Sequence, residues 1–383
     1  MIQLKDICDI YDCPHTTAKD EGKGYPLVRT PNVGKGRLIL DGIHRVSEDV
    51  YNSRNARAIP EEGDLILARE APVGNVSIIM DGQRVCLGQR VVLIKPKREL
   101  VDPHFLTYYL LSAEVQHRLK NHANGAVVAH LNVSDIRNLL VSLPELDEQI
   151  AIGKILRSID DKIELNRQIN DNLEQQASNL FQDWLNNCEN SIMLRELTDN
   201  VLDYTPNTHK HVYLLNSSDV TEGQFTVLPL TPNINLKGQF KKRFKKGDIL
   251  YSEIRPRNRH YAYCYFDADK YIASTRLIVL RAKPEKLTSS ILLYQYLMLN
   301  NVFEEFTLKT ESRSGTFPQG NYEDLSSIKV PYGASQEQIS KVLESIYKQL
   351  WTNLEENERL EALRDSLLPK LMSGELKINE IDC

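Results

Sequence analysis

The stretch that decides the fold is EQIAIGKILRSIDDKIELNRQINDNLEQQASNLFQDWLNN, residues 148–187. Its apolar positions, interrupted by two asparagines, are spaced alternately four and three residues apart, which is the pattern of a coiled-coil seam. We therefore predict one long helix whose apolar stripe needs a second helix to cover it. The seam positions are Ile152, Leu156, Ile159, Ile163, Asn166, Asn170, Leu173, Ala177, Leu180 and Trp184.

The same spacing returns 187 positions later and again places two asparagines in the matching slots. A heptad pattern duplicated with its polar positions at one offset indicates an internal repeat. We expect the two helices to form an antiparallel coiled coil within the chain, with Asn166 against Asn357 and Asn170 against Asn353, while pairing with another chain is the alternative. Such asparagine pairs fix the register of a coiled coil at some cost in stability. The second seam consists of Ile339, Leu343, Ile346, Leu350, Asn353, Asn357, Leu360, Arg364, Leu367 and Leu371.

The segments outside the two helices repeat as well. The first segment contains short apolar runs broken by Gly, Pro and Asn, with one predicted helix that Asp102 can cap. LGQRVVLIKP recurs as ASTRLIVLRAKP, which aligns Arg90 with Arg276. We predict an α/β (α+β) protein with two similar globular domains and a pseudo-two-fold repeat. The predicted parts are a first domain at 1–145, a first long helix at 146–190, a second domain at 191–334, a second long helix at 335–375 and a tail at 376–383.

Composition limits the classes of protein that fit this chain. The 383 residues carry a formal charge of −5 and six scattered cysteines without a C-x-x-C pair. No apolar run reaches the roughly 18–20 residues of a membrane span, and the N-terminus does not have the pattern of a signal peptide. We therefore expect a cytoplasmic protein with reduced cysteines. His209 and His211 could share one face of a strand, but no third ligand accompanies them, so we predict a surface pair and no metal site.

The acidic charge is concentrated in the two helical stretches, 143–187 and 331–374, whereas the remaining segments are mildly basic. This distribution favours DNA contact by the globular domains and protein contact by the helices. The chain has no G-x-x-x-x-G-K-[ST] nucleotide loop and no N-P-P-[FYW] or D-P-P-Y methyltransferase motif. We therefore predict no catalytic residues and no cofactor bound by this chain.

Two repeated Gly-Asp pairs raise the question of a nuclease site. Asp64 with Glu70, and Asp248 with Glu253, are spaced as a pair of nuclease carboxylates could be. A Gly-Asp pair in front of an apolar run is more simply a tight turn that enters a strand. We favour the turn.

Basic and amide residues in the loops are the candidate DNA contacts. The run KKRFKKGDILYSEIRPRNRH, residues 241–260, contains eight basic residues against two acidic ones. Such a run suits phosphate contact and guanine recognition by arginine, and a merely solvated basic surface is an equally weighted alternative. Small-residue loops at Asn124-Gly125 and at 312–316 permit close approach of the backbone to DNA. The candidates are Arg29, Asn32, Lys35, Arg37, Arg69, Gln89, Arg90, Asn216, Lys241, Lys242, Arg243, Lys245, Arg255, Arg257, Arg259, Arg276 and Arg313.

The chain resembles the specificity (S) subunit of type I restriction–modification systems. The resemblance is carried by LPELDEQIAIGKILRSIDDKIELN at 143–166, by its copy VPYGASQEQISKVLESIYKQLWTN at 330–353, and by the ending LRDSLLPKLMSGELKI at 363–378. It implies two target recognition domains that each read one half of a bipartite DNA site. It also implies that the paired helices set the spacer between the half-sites and dock the partner subunits.

The resemblance further implies which partners supply the chemistry. Two modification subunits would bring S-adenosylmethionine and methylate adenine, and restriction subunits would bring ATP and Mg²⁺. Phe181 and Trp184 are candidate contacts for these subunits, although Trp184 fits a plug at the end of the helix pair equally well. Two other functions are weighed against this one: a coiled-coil adaptor that binds only proteins, and a nuclease or methyltransferase with an unrecognised site.

Overall fold

The computed structural model describes residues 1–122, 130–283, 288–311, 319–333 and 335–377. The described chain divides into two compact units. Unit 1 contains residues 1–165 and the described residues from 356 onward, and unit 2 contains residues 166–355. Each unit therefore contains one globular segment and a part of each long helix.

The elements of the first half form three sheets, of five, three and two strands, and a set of helices. A five-stranded sheet has the order β2-β9-β6-β7-β4, and a three-stranded sheet has the order β5-β3-β8. In chain order the elements are β1 Ile2–Gln3, α1 Leu4–Ile7, β2 Cys8–Asp12, β3 Tyr25–Val28, β4 Gly36–Arg37, β5 Arg45–Val46, α2 Glu48–Arg54, β6 Leu65–Ala68, β7 Val76–Ile78, β8 Cys86–Leu87, β9 Val91–Pro96, α3 Pro103–Leu111, α4 Ala113–His122, α5 Val133–Arg137, β10 Leu140–Val141 and α6 Leu146–Asn186.

The second half repeats most of this order, but strands β16 and β17 stand where the first half has the helix α2. Two four-stranded sheets have the orders β12-β21-β18-β19 and β16-β13-β20-β17. The elements are β11 Asn190–Met193, α7 Leu194–Leu197, β12 Thr198–Asn200, β13 His211–Leu215, β14 Val220–Thr221, β15 Gln224–Phe225, β16 Thr231–Pro232, β17 Phe240–Lys242, β18 Ile249–Ser252, β19 Tyr261–Tyr263, β20 Tyr271–Ser274, β21 Leu277–Ala282, α8 Ser290–Met298, α9 Asn300–Glu311, α10 Tyr322–Ser326, β22 Lys329–Tyr332 and α11 Gln336–Ser373.

The central strands of unit 1 are buried on both faces. Along β6, Leu65 and Leu67 join the core that includes Phe105 of α3, whereas Ile66 and Ala68 join the core on the other face. The period of two is that of a β-strand, and burial on both faces explains why β6 is apolar at every position. The helix predicted after Asp102 is confirmed, since its carboxylate accepts from Phe105 N at 2.8 Å.

The Gly-Asp pairs are tight turns in both units, as predicted. Gly63 and Gly247 have φ of +83° and +93°, a region that favours glycine. Asp64 Oδ2 accepts from Glu61 N at 2.8 Å, and Asp248 Oδ2 accepts from Lys245 N at 2.9 Å. The two carboxylates also bind the basic side chains that follow in β9 and β21, so they stabilise the turns.

Helices α6 and α11 pack antiparallel against each other in each unit. In unit 2, Asn353 Nδ2 donates to Asn170 Oδ1 at 2.8 Å, and Asn170 Nδ2 donates to Leu350 O at 3.2 Å. In unit 1, Asn357 Nδ2 donates to Ile163 O at 3.3 Å. The last two contacts are copies of one another, because both donors and both acceptors are 187 positions apart. Pairing of Asn166 with Asn357 joins residues of different units and stays a prediction.

Each globular segment is attached to the helices by different chemistry at equivalent positions. In unit 1, Tyr108 Oη donates to Asp160 Oδ2 at 2.7 Å, and Asp160 Oδ1 accepts from Arg364 Nη1 at 2.9 Å. In unit 2, Gln295 Nε2 donates to Tyr347 Oη at 2.6 Å. Gln295 and Tyr347 are the residues 187 positions after Tyr108 and Asp160, so the contact recurs with the same direction of donation but with different chemical groups.

The two aromatic residues near the end of α6 are buried. Phe181 and Trp184 are 3% and 8% exposed, and both pack against Tyr296 of α8. The interpretation of Trp184 as a terminal plug therefore fits the structure, whereas its use as a subunit contact does not. Among the described residues, no helix combines the length and apolar character that crossing a membrane requires.

Candidate DNA interface

The loop after β6 and the loop after β18 are each joined to neighbouring loops by the same pattern of backbone hydrogen bonds. In unit 1, Arg69 N donates to Arg90 O at 3.0 Å, and Leu131 N donates to Arg69 O at 3.0 Å. In unit 2, Glu253 N donates to Arg276 O at 3.0 Å, and Gly320 N donates to Glu253 O at 2.8 Å. We call these sites polar edge 1 and polar edge 2. Polar edge 1 comprises Arg29, Arg69, Glu70, Gln89, Arg90 and His130, and polar edge 2 comprises Asn216, Gln239, Glu253, Ile254, Arg255, Arg276 and Gln319.

The side chains on this shared pattern differ between the units. Arg69 corresponds to Glu253, so the charge is reversed at the position that closes the strand. The pKa of Glu253 is raised by burial, and Lys242 and Arg276 nearby oppose that shift. One backbone arrangement thus presents two chemically different edges.

Polar edge 1 contains a chain of ionic hydrogen bonds. Arg69 donates from Nε to Leu131 O at 2.8 Å, from Nη1 to Asp12 Oδ1 at 2.9 Å and from Nη2 to His130 Nε2 at 2.8 Å. The prediction that Arg69 contacts DNA needs correction, because Arg69 is only 6% exposed and its donors are engaged inside the unit. Arg69 organises the edge instead.

The outer part of polar edge 1 is exposed. His130 Nδ1 lies 2.8 Å from Glu70 Oε1, and Arg90 Nε lies 3.0 Å from Glu70 Oε2. The Arg90 side chain is 59% exposed, and its backbone φ is +64°. Arg29 Nε is buried and has no hydrogen-bond partner among the described residues. Gln89 Oε1 accepts from Thr17 Oγ1 at 3.3 Å. Arg29 lies beside Gly88, so it neighbours the loop that contains Gln89 and Arg90. Contact of these residues with DNA stays a prediction.

Three other candidates of unit 1 lie elsewhere. Asn32 is buried, and its side chain accepts from Arg29 N at 3.1 Å and donates to Ile39 O at 3.2 Å, which closes a 3₁₀ turn. Arg37 donates to Asp161 of α6, so it attaches the sheet to the helix. The DNA-contact interpretation is corrected for both. Lys35 is exposed on the rim of a groove of about 890 Å³ and remains available to solvent.

Strand β18 divides the basic run of unit 2 into two groups. Lys245 lies in the turn before this strand, and Arg255, Arg257 and Arg259 lie in the loop after it. Four strand residues separate the groups by roughly 10–14 Å at about 3.4 Å per residue. The run is therefore not one patch.

Among the lysines of this run, Lys242 is buried at 3% exposure. Its Nζ donates to Leu277 O at 2.6 Å, and burial lowers its pKa. The prediction of a phosphate contact by Lys242 is corrected, since no phosphate can reach a buried ammonium. Lys241 is exposed on the same strand, and Arg243 Nη2 donates to Asp269 O at 3.0 Å.

The loop after β18 holds its arginines in defined positions. Arg255 and Arg259 flank a 3₁₀ turn and have φ of +47° and +52°, an uncommon conformation for arginine. Arg257 donates from Nε and Nη2 to the two carboxylate oxygens of Glu311 at 2.7 and 3.0 Å. Arg259 lies 4.5 Å from the ring centre of Phe303, which is a cation–π contact.

The remaining residues that were predicted to contact DNA or to form a surface pair lie as follows. Asn216 accepts from Gln239 Nε2 at 3.0 Å, and Arg276 is exposed beside it on polar edge 2. Arg313, and the loops Asn124-Gly125 and 312–316, lie outside the described residues. His209 and His211 are exposed, and no cluster of three or more His, Cys, Asp or Glu in the described part of the chain could hold a metal ion.

The sequence did not identify Glu70 and His130 as residues of polar edge 1, or Glu311 as the partner of Arg257. Glu70 and His130 are 60 positions apart, and Arg257 and Glu311 are 54 apart. Only folding brings these pairs together, because no local spacing links them. The single usable signal was the repeat, which aligns the loop after β6 with the loop after β18.

The fold and the two polar edges define the class of this molecule. It is a duplicated α/β protein in which the same backbone arrangement carries a different polar surface in each copy. A model of the family described as Type I restriction modification DNA specificity domain matches residues 1–175 and 229–362. The chain belongs to this family, because the match covers well over half of its residues.

Individual relatives agree with this assignment. The chain is 34% identical over 163 residues to the Type I restriction enzyme HindI specificity subunit of Haemophilus influenzae, a match to 42% of this chain and 35% of that protein. The match thus spans about a third of the length of that relative. The Type I restriction enzyme MjaIX specificity subunit of Methanocaldococcus jannaschii is 21% identical over 416 positions, which cover 99% of this chain and 94% of that protein.

A solved structure shares the fold. The crystal structure of the type I restriction-modification system S subunit from M. genitalium superposes with a TM-score of 0.65 at 16% sequence identity. The match covers 97% of this chain and 95% of that one. The α/β architecture with two long helices, predicted from the seams, is confirmed.

Proposed function

We propose that this chain is the DNA sequence-specificity subunit of a type I restriction–modification complex and has no catalytic site of its own. The observation that carries the proposal is the pair of polar edges, in which one backbone pattern presents Arg69, Glu70 and Arg90 in unit 1 but Glu253, Ile254 and Arg276 in unit 2. Two readers on one scaffold suit a bipartite DNA site, since base recognition depends on which side chains reach the grooves.

In this proposal the two globular parts, 1–145 and 191–334, are target recognition domains that each read one half-site. The helices, 146–190 and 335–375, set the spacer. The acidic excess on the helices supports docking of protein partners there. The partners would be two modification subunits that carry S-adenosylmethionine, and restriction subunits that use ATP and Mg²⁺. Such a complex would act in the cytoplasm.

Exchange of residues 1–145 for the corresponding segment of another family member tests the proposal. The chimera and the parent chain are each produced with a type I modification subunit that associates with the parent chain, and methylated adenines are mapped across the host genome. We expect one half of the recognised site to change while the other half stays as in the parent. The reciprocal exchange of 191–334 is the matched control and should change only the other half.

Three results would count against the proposal. A chimera that alters both halves contradicts independent readers. A parent complex that methylates no defined sequence, although both subunits are folded and associated, favours the adaptor that binds only proteins. DNA cleavage or methylation by the purified chain alone, with Mg²⁺ or S-adenosylmethionine, would instead favour an enzyme.

A further inference from the structure

We infer that Arg90 is the side chain with which unit 1 reads a guanine, and that Glu70, His130 and Arg69 are positioning residues that hold its guanidinium in one orientation. The inference rests on the proposed function and deepens it, because it names one base and the residues that select it. Its basis is a path of hydrogen bonds that runs from the buried interior of unit 1 to Glu70 and ends in an ion pair between Glu70 and the exposed head of Arg90.

The path starts at a fixed point. The guanidinium of Arg69 is held by the backbone oxygen of Leu131 at 2.8 Å and by Asp12 at 2.9 Å, so it has little freedom to turn. A guanidinium has only donors, so His130 Nε2, which lies 2.8 Å from Arg69 Nη2, must accept. A neutral imidazole that accepts at Nε2 carries its proton on Nδ1. Arg69 thereby determines the tautomer of His130.

The next contacts connect His130 to the exposed side chain of Arg90. His130 Nδ1 donates to Glu70 Oε1 at 2.8 Å, which fixes the carboxylate and leaves Oε2 for Arg90 Nε at 3.0 Å. Glu70 is itself mostly buried, with its side chain 16% exposed. A carboxylate held in this way restricts the rotation of the arginine that it binds.

The head of Arg90 is presented for recognition. Its side chain is 59% exposed, and its two terminal nitrogens have no hydrogen-bond partner among the residues that the structure describes. Two parallel N–H groups match the O6 and N7 acceptors of guanine in the major groove. The φ of +64° is uncommon for arginine, and such conformations concentrate at functional sites. The backbone at Arg90 is held there, because Arg90 O accepts from Arg69 N at 3.0 Å.

The second copy of the fold shows that the path is not needed to build the scaffold. Arg276 occupies the position of Arg90, but Glu253, Ile254 and Gln319 replace Arg69, Glu70 and His130. The side chain of Ile254 cannot accept a hydrogen bond, so Arg276 lacks a carboxylate at the position of Glu70. The path therefore belongs to the specificity of unit 1 rather than to the common fold.

The test uses the full chain with its modification subunit and maps adenine methylation across the host genome. In R90A, preference for guanine at one position of the half-site read by unit 1 should fall by roughly 5- to 150-fold, the range for one bidentate contact. R90K should relax the same position, because lysine keeps the charge but not the two parallel donors. E70A and H130A should relax it as well.

Two variants separate positioning from general damage. In H130Q the amide can accept from Arg69 and donate to Glu70, so the guanine preference should be retained. R57A removes an exposed arginine at a different place in the same unit and should leave the half-site unchanged. If R90A does not fold, R90K gives the same readout and decides the question.

The failures are distinguishable. A parent complex without a bipartite motif overturns the proposed function itself. A bipartite motif that R90A or R90K leaves unchanged overturns the inference and leaves the proposed function standing. Relaxation by R90A with no effect of E70A and H130A overturns the positioning role of Glu70 and His130.

Discussion

Replacement of Asn170 with alanine removes the acceptor that Asn353 uses inside the helix pair of unit 2. Asn353 is 4% exposed, and its Nδ2 donates to Asn170 Oδ1 at 2.8 Å. Without that acceptor the buried Nδ2 donor of Asn353 is left unpaired, which costs about 1–3 kcal/mol, whereas Asn353 Oδ1 keeps its hydrogen bond from Gln349 Nε2 at 2.8 Å. The donor contact from Asn170 to Leu350 O is lost as well, although that oxygen belongs to a helix and loses less. We therefore expect N170A to lower the free energy of unfolding by about 1–3 kcal/mol.

The double variant N170L/N353L tests the reasoning from the other side. Two leucines leave no unpaired amide and bury more apolar surface, so the stability of the helix pair should return to that of the parent or exceed it. The assay is urea unfolding followed by circular dichroism at a helical wavelength. N172A is the matched control, because Asn172 is exposed on the same helix and its replacement should change the free energy of unfolding by less than about 0.5 kcal/mol.

The reasoning fails if N170A unfolds within about 0.5 kcal/mol of the parent, the range of neutral surface substitutions. It also fails if the double leucine variant is as unstable as N170A, since the cost would then not come from an unpaired amide. A double-mutant cycle of N170L, N353L and N170L/N353L should give a non-zero coupling energy between the two positions, about 0.5–3 kcal/mol.

Three further predictions concern DNA binding by the chain with its modification subunit. K241A should reduce the slope of the logarithm of the DNA-binding constant against the logarithm of salt concentration by about 1, because Lys241 is exposed. K242A should leave this slope unchanged and lower the stability of the fold, because Lys242 is buried. Equal slopes for the two variants would contradict this. R257A should relax one position of the half-site read by unit 2 and leave the other half as it is; relaxation of both halves in the methylation map speaks against it. Insertion of one heptad into both helices at matched positions should lengthen the spacer by about 3 base pairs, since seven residues rise about 10.5 Å; a folded variant with the original spacer would disprove the ruler.

The fold was largely predictable from the sequence because its main signals are periodic. The seam of α6 and its copy predicted two long helices, and Asp102 and the Gly-Asp pairs marked a helix start and two turns. These features depend on spacing within about ten residues, which a single sequence displays. The contacts of Tyr108 with Asp160 and of Gln295 with Tyr347 could not be predicted from the repeat, because the residues at the equivalent positions differ in type.

The candidate interface was predictable only in part. Residue type identified Arg90, Arg255 and Arg276, which are exposed at the edges. The same criterion also selected Arg69 and Lys242, which are buried. Charged side chains are usually exposed, yet a buried arginine or lysine is stable when backbone oxygens accept its hydrogen bonds. Those oxygens come from strands and loops that are distant in the sequence. Burial, not residue type, separates the two groups, and burial requires the fold.

Selection of bound DNA from a random library, by the parent chain in complex with its modification subunit, tests the central claim most directly. Two readers held at a fixed spacing should enrich two short blocks of defined sequence separated by a gap of constant length and arbitrary sequence. Enrichment of a single contiguous block, or of two blocks at variable spacing, would contradict the account.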